Sequence, residues 1–139
     1  LGTPQTTISI DDVDNLEPLN FETYVKSELD NFPKLITRYT QRSYDYGADL
    51  IVTNSNNNKS AIIQCKHRSD KNRSVSDDAC DEVITAKQNY DLLNPILYLI
   101  SNAQNPTASC KEKANQNGVK LIFRDTLLDV GNIISTELS

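Results

Sequence analysis

The sequence predicts an α/β fold, with a mixed β-sheet core flanked by α-helices. Along the chain, stretches with apolar residues every three or four positions alternate with short β-branched runs. The first pattern is typical of helices and the second of strands. A nearly pure polar turn at residues 54–60 separates two of these runs, which is a hairpin pattern. The run at residues 96–100 is apolar throughout and indicates a strand buried on both faces. A chain of 139 residues is expected to form one domain.

The first helix is expected to follow an irregular N-terminal stretch. Residues 1–15 are polar and predict a tail or the end of a linker, so that the domain occupies residues 16–139. Apolar residues then recur with helical spacing over residues 20–31. Asn20 offers an N-cap for this helix, and Pro33 stops it.

Three strands are predicted next. Residues 35–40 form a short strand, and turn residues over 43–48 lead into a β-branched apolar run at 49–53. The polar turn at 54–60 connects that run to a second one at 61–66. These two runs therefore form an antiparallel hairpin.

A long helix and a buried strand come after the hairpin. Apolar residues lie at three- and four-residue steps between residues 75 and 93, and Pro95 ends that helix. The buried strand at 96–100 follows. A strand, helix and strand in this order give parallel neighbours through a right-handed crossover, which makes the sheet mixed.

The chain closes with two helices around a last strand. Residues 106–117 predict a helix with Pro106 in its first turn and Gly118 as its stop. Residues 119–123 form the strand, and Asp125 is expected to cap a closing helix.

The cysteines and the hydropathy favour the cytoplasm. Cys65, Cys80 and Cys110 are odd in number and lack disulfide or zinc spacing, so a reducing compartment fits them. No apolar run approaches the roughly 20 residues that span a bilayer, and no signal peptide pattern is present, so no membrane partner is expected. The chain starts at Leu1 and contains no methionine, from which we expect a domain of a longer gene product.

Charge is unevenly distributed along the chain. The formal net charge is −5, but residues 1–31 hold seven acidic groups against a single lysine. A basic cluster follows the second hairpin strand and is predicted to contact DNA phosphates; it comprises His67, Arg68, Lys71 and Arg73, next to Lys66. The alternative is a solvated charged loop.

Three polar residues of the hairpin predict a metal-assisted site. Asp49 opens one strand, and Gln64 and Lys66 lie two apart on the other, so that they share a face while Cys65 points the opposite way. Oxygen ligands suit a hard cation such as Mg²⁺, and an ammonium group offsets the charge that develops during phosphodiester hydrolysis. The alternative is an ordinary turn aspartate beside a solvated strand face.

The sequence resembles the catalytic domain of Mrr-type restriction endonucleases, which belong to the PD-(D/E)xK nuclease superfamily. The similarity extends from about residue 8 to residue 130. Much of it consists of apolar strand residues, but the blocks occur in the right order. They are Phe21-Glu22-Thr23-Tyr24-Val25, Asp45 to Val52, Ile63-Gln64-Cys65-Lys66-His67, Val75 ahead of a helix with Ala86-Lys87, Leu97 to Asn102, and Gly118 to Ile122.

The resemblance implies a restriction-endonuclease-like fold and roles for four residues. Asp49 is implied as the metal-binding aspartate, Gln64 as the second ligand position and Lys66 as the catalytic lysine. Gln64 replaces the glutamate usual in the superfamily, although glutamine is similar to what Mrr-type members carry. Its amide oxygen should bind Mg²⁺ more weakly than a carboxylate. Glu22 matches a glutamate that commonly points to the site and could restore the charge; alternatively it is a surface acid near the start of its helix.

Other residues have weaker claims to the site. His67 either contacts phosphate or packs structurally, and Lys87 either approaches phosphate or is solvated. Cys65 is expected to be a buried apolar side chain whose backbone carbonyl could ligate metal. Tyr44 and Tyr46 either stack on bases or pack in the protein.

The function expected is that of a DNA endonuclease that uses Mg²⁺, with Mn²⁺ as a substitute, in restriction or antiviral defence. Because the chain is acidic overall, we expect a fused or associated recognition or NTPase module, or a homodimer, to assist DNA binding. One alternative is a non-catalytic DNA-binding or assembly domain of the same fold. Another is a Holliday-junction resolvase.

Overall fold

The computed structural model describes residues 8–40 and 49–139. The predicted turn at 43–48, with Tyr44 and Tyr46, lies outside the described residues. The helices are α1 (Ile10–Asp14), α2 (Pro18–Asp30), α3 (Asp77–Asn89), α4 (Ala108–Asn117) and α5 (Val130–Glu137), with a 3₁₀ turn at Leu127–Asp129. The strands are β1 (Leu35–Tyr39), β2 (Leu50–Asn54), β3 (Ser60–Lys66), β4 (Ile96–Ser101) and β5 (Val119–Ile122).

The five strands form one mixed sheet in the order β1-β2-β3-β4-β5. Strands β1, β2 and β3 are antiparallel neighbours, whereas β3, β4 and β5 run parallel. The hairpin and the parallel crossover predicted from the sequence are both confirmed. Strand β3 lies at the centre and is joined to an antiparallel strand on one side and a parallel one on the other.

Two hydrophobic cores lie on opposite faces of the sheet. Alternate residues of β3 enter different cores, with Ile63 packing toward α2 and α5 and Ile62 packing toward α3 and α4. Both side chains are fully buried. The sheet is therefore covered by helices on both sides, as the apolar runs of the sequence predict. Each helix of the described residues is too short or too polar to span a bilayer.

The irregular structure expected at the N-terminus is wrong for residues 8–15. Ser9 and Asp12 form a capping box at the start of α1, and Val13 is fully buried. Asp14 pairs with Arg124 after β5, at 2.6 Å. This short helix is held by tertiary contacts, and the division of the chain into tail and domain stays a prediction.

The start of α2 also differs from the prediction. It begins at Pro18 after the N-cap Glu17, so Asn20 is not its cap. Proline suits the first helical position because its fixed φ is helical and its missing N–H has no partner there.

Helix α3 is shorter than the stretch from 75 to 93 predicted for it. Val75 instead pairs with Pro106 in an isolated bridge, and the helix ends at Asn89 because Tyr90 is extended, well before Pro95. This bridge also keeps Pro106 out of the first turn of α4.

The last two helices begin later than expected. Thr107 caps α4 through its side chain, and Gly118, with a φ of 69°, ends it as predicted. Helix α5 begins after the 3₁₀ turn, and Asp129 rather than Asp125 precedes it.

Candidate active site

The hairpin brings Asp49 and Gln64 to the same end of the sheet. Strand β2 pairs Leu50 with Ile63, and Asp49 and Gln64 are the next positions along the two strands. Gln64 is 5% exposed. Cys65 enters the opposite core, as predicted, and burial raises the pKa of its thiol well above the ordinary value. The cysteine side chain therefore packs in the core, on the face of the sheet away from Gln64.

The backbone of β3 fixes the Asp49 side chain. The Asp49 Oδ2 atom accepts a hydrogen bond of 2.7 Å from the Cys65 N–H, while the Asp49 N–H donates to the Ile63 carbonyl at 2.8 Å. Burial raises the pKa of the Asp49 carboxyl, an effect that the Cys65 hydrogen bond and the Lys66 charge oppose. The carboxyl group is thus held in a fixed position where its negative charge is costly without a nearby cation.

Glu22 reaches this carboxyl group from α2. A side-chain hydrogen bond joins Glu22 to Asp49, as the family resemblance implied for a glutamate directed to the site. Two carboxyl groups in contact need either a shared proton or a cation beside them. Glu22 is therefore not a surface acid that interacts only with the start of its own helix.

Glu82 of α3 completes the group, and the sequence analysis missed it. Its Oε2 accepts a hydrogen bond of 2.6 Å from Gln64 Nε2, and its Oε1 lies 3.2 Å from Lys66 Nζ. The available signal was its position three residues after Ala79 and four before Ala86. An acidic residue inside the buried stripe of a helix needs a polar partner on the strand beneath.

The donor set fits an open site for a hard cation. Within residues 8–40 and 49–139, no three Cys, His, Asp or Glu side chains converge as a closed metal cage would require. Mg²⁺ is usually held by one or two carboxylates and keeps several waters. Asp49 and Glu22 meet that requirement, and Gln64 can add an amide oxygen. The Cys65 carbonyl stays a predicted ligand.

The residues predicted to contact DNA have different surroundings in the structure. Asn102 holds the backbone of Arg68 by two hydrogen bonds, of 2.8 Å and 2.7 Å, and so fixes the start of the basic loop. His67 Nε2 lies 2.9 Å from the Val13 carbonyl, and its ring packs against Phe21, which favours the structural alternative for this histidine.

The remaining basic residues differ in their distance from the site. Lys71 is half-buried and Arg73 is exposed on the loop that follows Lys66. Lys87 is exposed in the last turn of α3, about 7.5 Å along the helix axis from Glu82. Lys87 therefore lies more than one helical turn from Glu82. DNA contact by any of these basic residues stays a prediction.

Comparison with known proteins agrees with this architecture. The family model of the Mrr catalytic domain, described as a restriction endonuclease, matches residues 13–130. The solved structure of the MspJI restriction endonuclease in complex with a 27-mer oligonucleotide is similar, with a TM-score of 0.52 and 18% identity. The likeness covers 85% of this chain but only 30% of that one. A search of curated proteins gives no significant match. The chain belongs to the restriction endonuclease family of Mrr catalytic domains.

Proposed function

We propose that this domain hydrolyses DNA phosphodiester bonds with the help of a divalent metal ion, in restriction or antiviral defence. The observation that carries the proposal is the contact of the Glu22 and Asp49 carboxyl groups at the end of β3, next to Lys66. Membership of a restriction endonuclease family supports nuclease chemistry, and the oligonucleotide bound by MspJI supports DNA as the substrate.

The metal ion would be Mg²⁺, or Mn²⁺ in its place, held by Asp49, Glu22 and the Gln64 amide oxygen, with the Cys65 carbonyl as a further donor. When bound, such an ion polarises the phosphate and lowers the pKa of water. The protein contributes fixed oxygen atoms. Asp49 in particular is already oriented by the Cys65 N–H, so that little reorganisation is needed when DNA arrives.

Lys66 supplies the positive charge beside these oxygens. Its side chain is 33% exposed and keeps contact with solvent while it pairs with Glu82. An ammonium group in this position can donate hydrogen bonds to the phosphate oxygens on which negative charge develops. Lys66 therefore stabilises the transition state in this proposal, and the carboxyl groups bind the cation.

We propose that the DNA is selected by protein regions other than the candidate active site. The net charge of −5 disfavours tight binding to a polyanion, and a local basic cluster of Arg68, Lys71 and Arg73 lies on the loop after Lys66. The chain spans less than a third of the MspJI chain to which it is similar. We therefore propose a fused or associated recognition or NTPase module, or a homodimer. We also propose the cytoplasmic location expected from the cysteine pattern of the sequence.

Cleavage of supercoiled plasmid with Mg²⁺ tests the proposal. We expect the wild type to nick or linearise the plasmid, and Asp49→Asn and Lys66→Ala each to lose about 100-fold or more of that rate. Asp78→Asn and Lys111→Ala change exposed residues on α3 and α4 and serve as matched controls. Equal cutting by the site variants and the controls would reject the assignment. Salt-sensitive DNA binding without product would favour the non-catalytic alternative.

A further inference from the structure

The neutral glutamine at position 64 is paired with an acidic residue on α3, Glu82. Gln64 is almost fully buried, and its side chain ends in an amide with two chemically different atoms. An ionised carboxylate can only accept hydrogen bonds. Since Glu82 Oε2 lies 2.6 Å from the amide, the group facing Glu82 must be the NH₂. The Gln64 carbonyl oxygen is thereby the atom left for another ligand.

The same carboxylate also contacts Lys66. Its second oxygen lies 3.2 Å from Lys66 Nζ, so Glu82 spans the two side chains that share one face of β3. The Lys66 and Glu82 side chains are 33% and 38% exposed, and ion pairs that exposed add little to stability. The pairing is therefore better explained by orientation of the two strand residues than by stabilisation of the fold.

We infer that Glu82 is a positioning residue, which turns the Gln64 amide so that its oxygen is presented to the metal and which also steers the Lys66 ammonium. This inference rests on the proposed function. It explains why glutamine is suited to position 64 in this chain, since a glutamate there would put a second carboxylate against Glu82. In this pair the strand residue Gln64 supplies the neutral amide, and the helix residue Glu82 supplies the carboxylate.

The reciprocal exchange gives the sharpest test. In the double variant Gln64→Glu/Glu82→Gln, the new helix amide can donate to the strand carboxylate, which exchanges donor and acceptor, while its oxygen still accepts from Lys66. Both hydrogen bonds are therefore kept. We therefore expect Glu82→Gln to act with opposite sign in the two backgrounds. It should weaken function when residue 64 is glutamine and improve it when residue 64 is glutamate.

The experiment measures Mn²⁺ affinity by electron paramagnetic resonance and single-turnover plasmid cleavage, side by side. Glu82→Ala and Glu82→Gln are expected to lower both quantities by about 10–100-fold, which is typical of partners that orient metal ligands. The double variant should have a Mn²⁺ affinity and a cleavage rate about 10-fold higher than those of the single variant Gln64→Glu. Glu112→Gln on α4 is the matched control, and thermal unfolding confirms that each variant is folded.

The outcomes separate this inference from the proposed function. If the wild type neither binds Mn²⁺ nor cuts DNA, the proposed function fails and the inference falls with it. If the wild type does both and the Glu82 variants equal the control, only the inference is overturned. A Glu82→Gln effect of the same sign in both backgrounds would also overturn it, because Glu82 would not then act through the Gln64 amide.

Discussion

At the scale of single residues, the site places two acidic groups in contact, which conflict unless they share a proton or bind a cation. The Glu22 and Asp49 carboxyl groups touch, and burial raises the pKa of Asp49. Groups that are costly to the folded protein and useful to a ligand are typical of functional sites. Activity and stability should therefore respond in opposite directions when this conflict is removed.

Glu22→Gln tests that opposition. The amide keeps the size of the side chain and can still donate a hydrogen bond to Asp49, but it removes one of the two acidic groups in contact. We expect the melting temperature in EDTA to stay equal or rise, while the Mg²⁺-dependent cleavage rate falls by about 10–100-fold. Differential scanning fluorimetry and plasmid cleavage measure the two effects. Glu17→Gln, exposed before α2, is the control; a lower melting temperature with unchanged cleavage would contradict this account.

The residues of the hairpin could be predicted from the sequence, but the contacts that Glu82 makes with Gln64 and Lys66 could not. Asp49, Gln64 and Lys66 follow from strand alternation and a short turn, which are local properties. Glu82 lies 16 residues after Lys66 in sequence, and its contact depends on how α3 is rotated over the sheet. The helical period limits that rotation but does not identify which strand residue lies beneath.

At the scale of elements, local periodicity predicted the strands better than it predicted the helix ends. The polar turn fixed the β2–β3 hairpin, and the apolar run fixed β4. Helix α1 escaped prediction because it buries only Val13 and depends on a partner far away in sequence, Arg124. Short helices of this kind are stable only through tertiary contacts.

Gly131→Ala is expected to destabilise the contact between α5 and α2. Helix propensity alone would make alanine more favourable by about 1 kcal/mol. An added Cβ would, however, lie 2.7 Å from Phe32 Cε2 and 2.9 Å from the Glu28 carbonyl oxygen. We expect a net loss of about 1–3 kcal/mol in the free energy of unfolding, measured with urea. Thr136→Ala on the exposed side of α5 is the control, and equal stability of the two variants would refute this packing argument.

Asp14→Asn is expected to loosen α1 in a pH-dependent way. Hydrogen bonds from Arg124 lower the pKa of the Asp14 carboxyl below its ordinary value, against the opposing effect of burial. A lowered folded-state pKa contributes stability above the unfolded value of about 4, and this stability is lost as the pH falls through the folded value.

Urea unfolding across pH measures this contribution. We expect Asp14→Asn to cost about 1–2 kcal/mol at pH 7, and the difference from wild type to shrink below about pH 4. Asp11→Asn is the control, because Asp11 is 82% exposed and lies 3.7 Å from Arg124. A pH-independent difference would show that the ion pair is not its source.

At the scale of the whole molecule, the sheet separates two helical layers, and each layer contributes an acidic residue to the site. One face packs on α2 and α5, and Glu22 belongs to α2. The other face packs on α3 and α4, and Glu82 belongs to α3. The site lies where both layers meet the end of β3. This mixed architecture was predictable from element order, whereas the meeting of two helical layers at one strand end was not, because it depends on long-range packing.

Charge distribution predicts weak and salt-sensitive DNA binding by the isolated domain. Arg73→Ala should weaken binding to any DNA sequence and reduce the slope of log K against log salt by about 1. Fluorescence anisotropy with a labelled duplex at several salt concentrations measures both. Lys34→Ala is the control, since Lys34 contacts the β2–β3 turn at the opposite end of the sheet. An unchanged slope for Arg73→Ala would exclude that loop residue from the DNA interface.

The most direct test of the central claim compares supercoiled plasmid incubated with the wild type and with Asp49→Asn, each in Mg²⁺ and in EDTA. The account predicts nicked and linear product only for the wild type in Mg²⁺, with at least about a 100-fold lower rate for the variant. Product in EDTA, or equal rates for the two proteins, would contradict metal-dependent hydrolysis at Asp49.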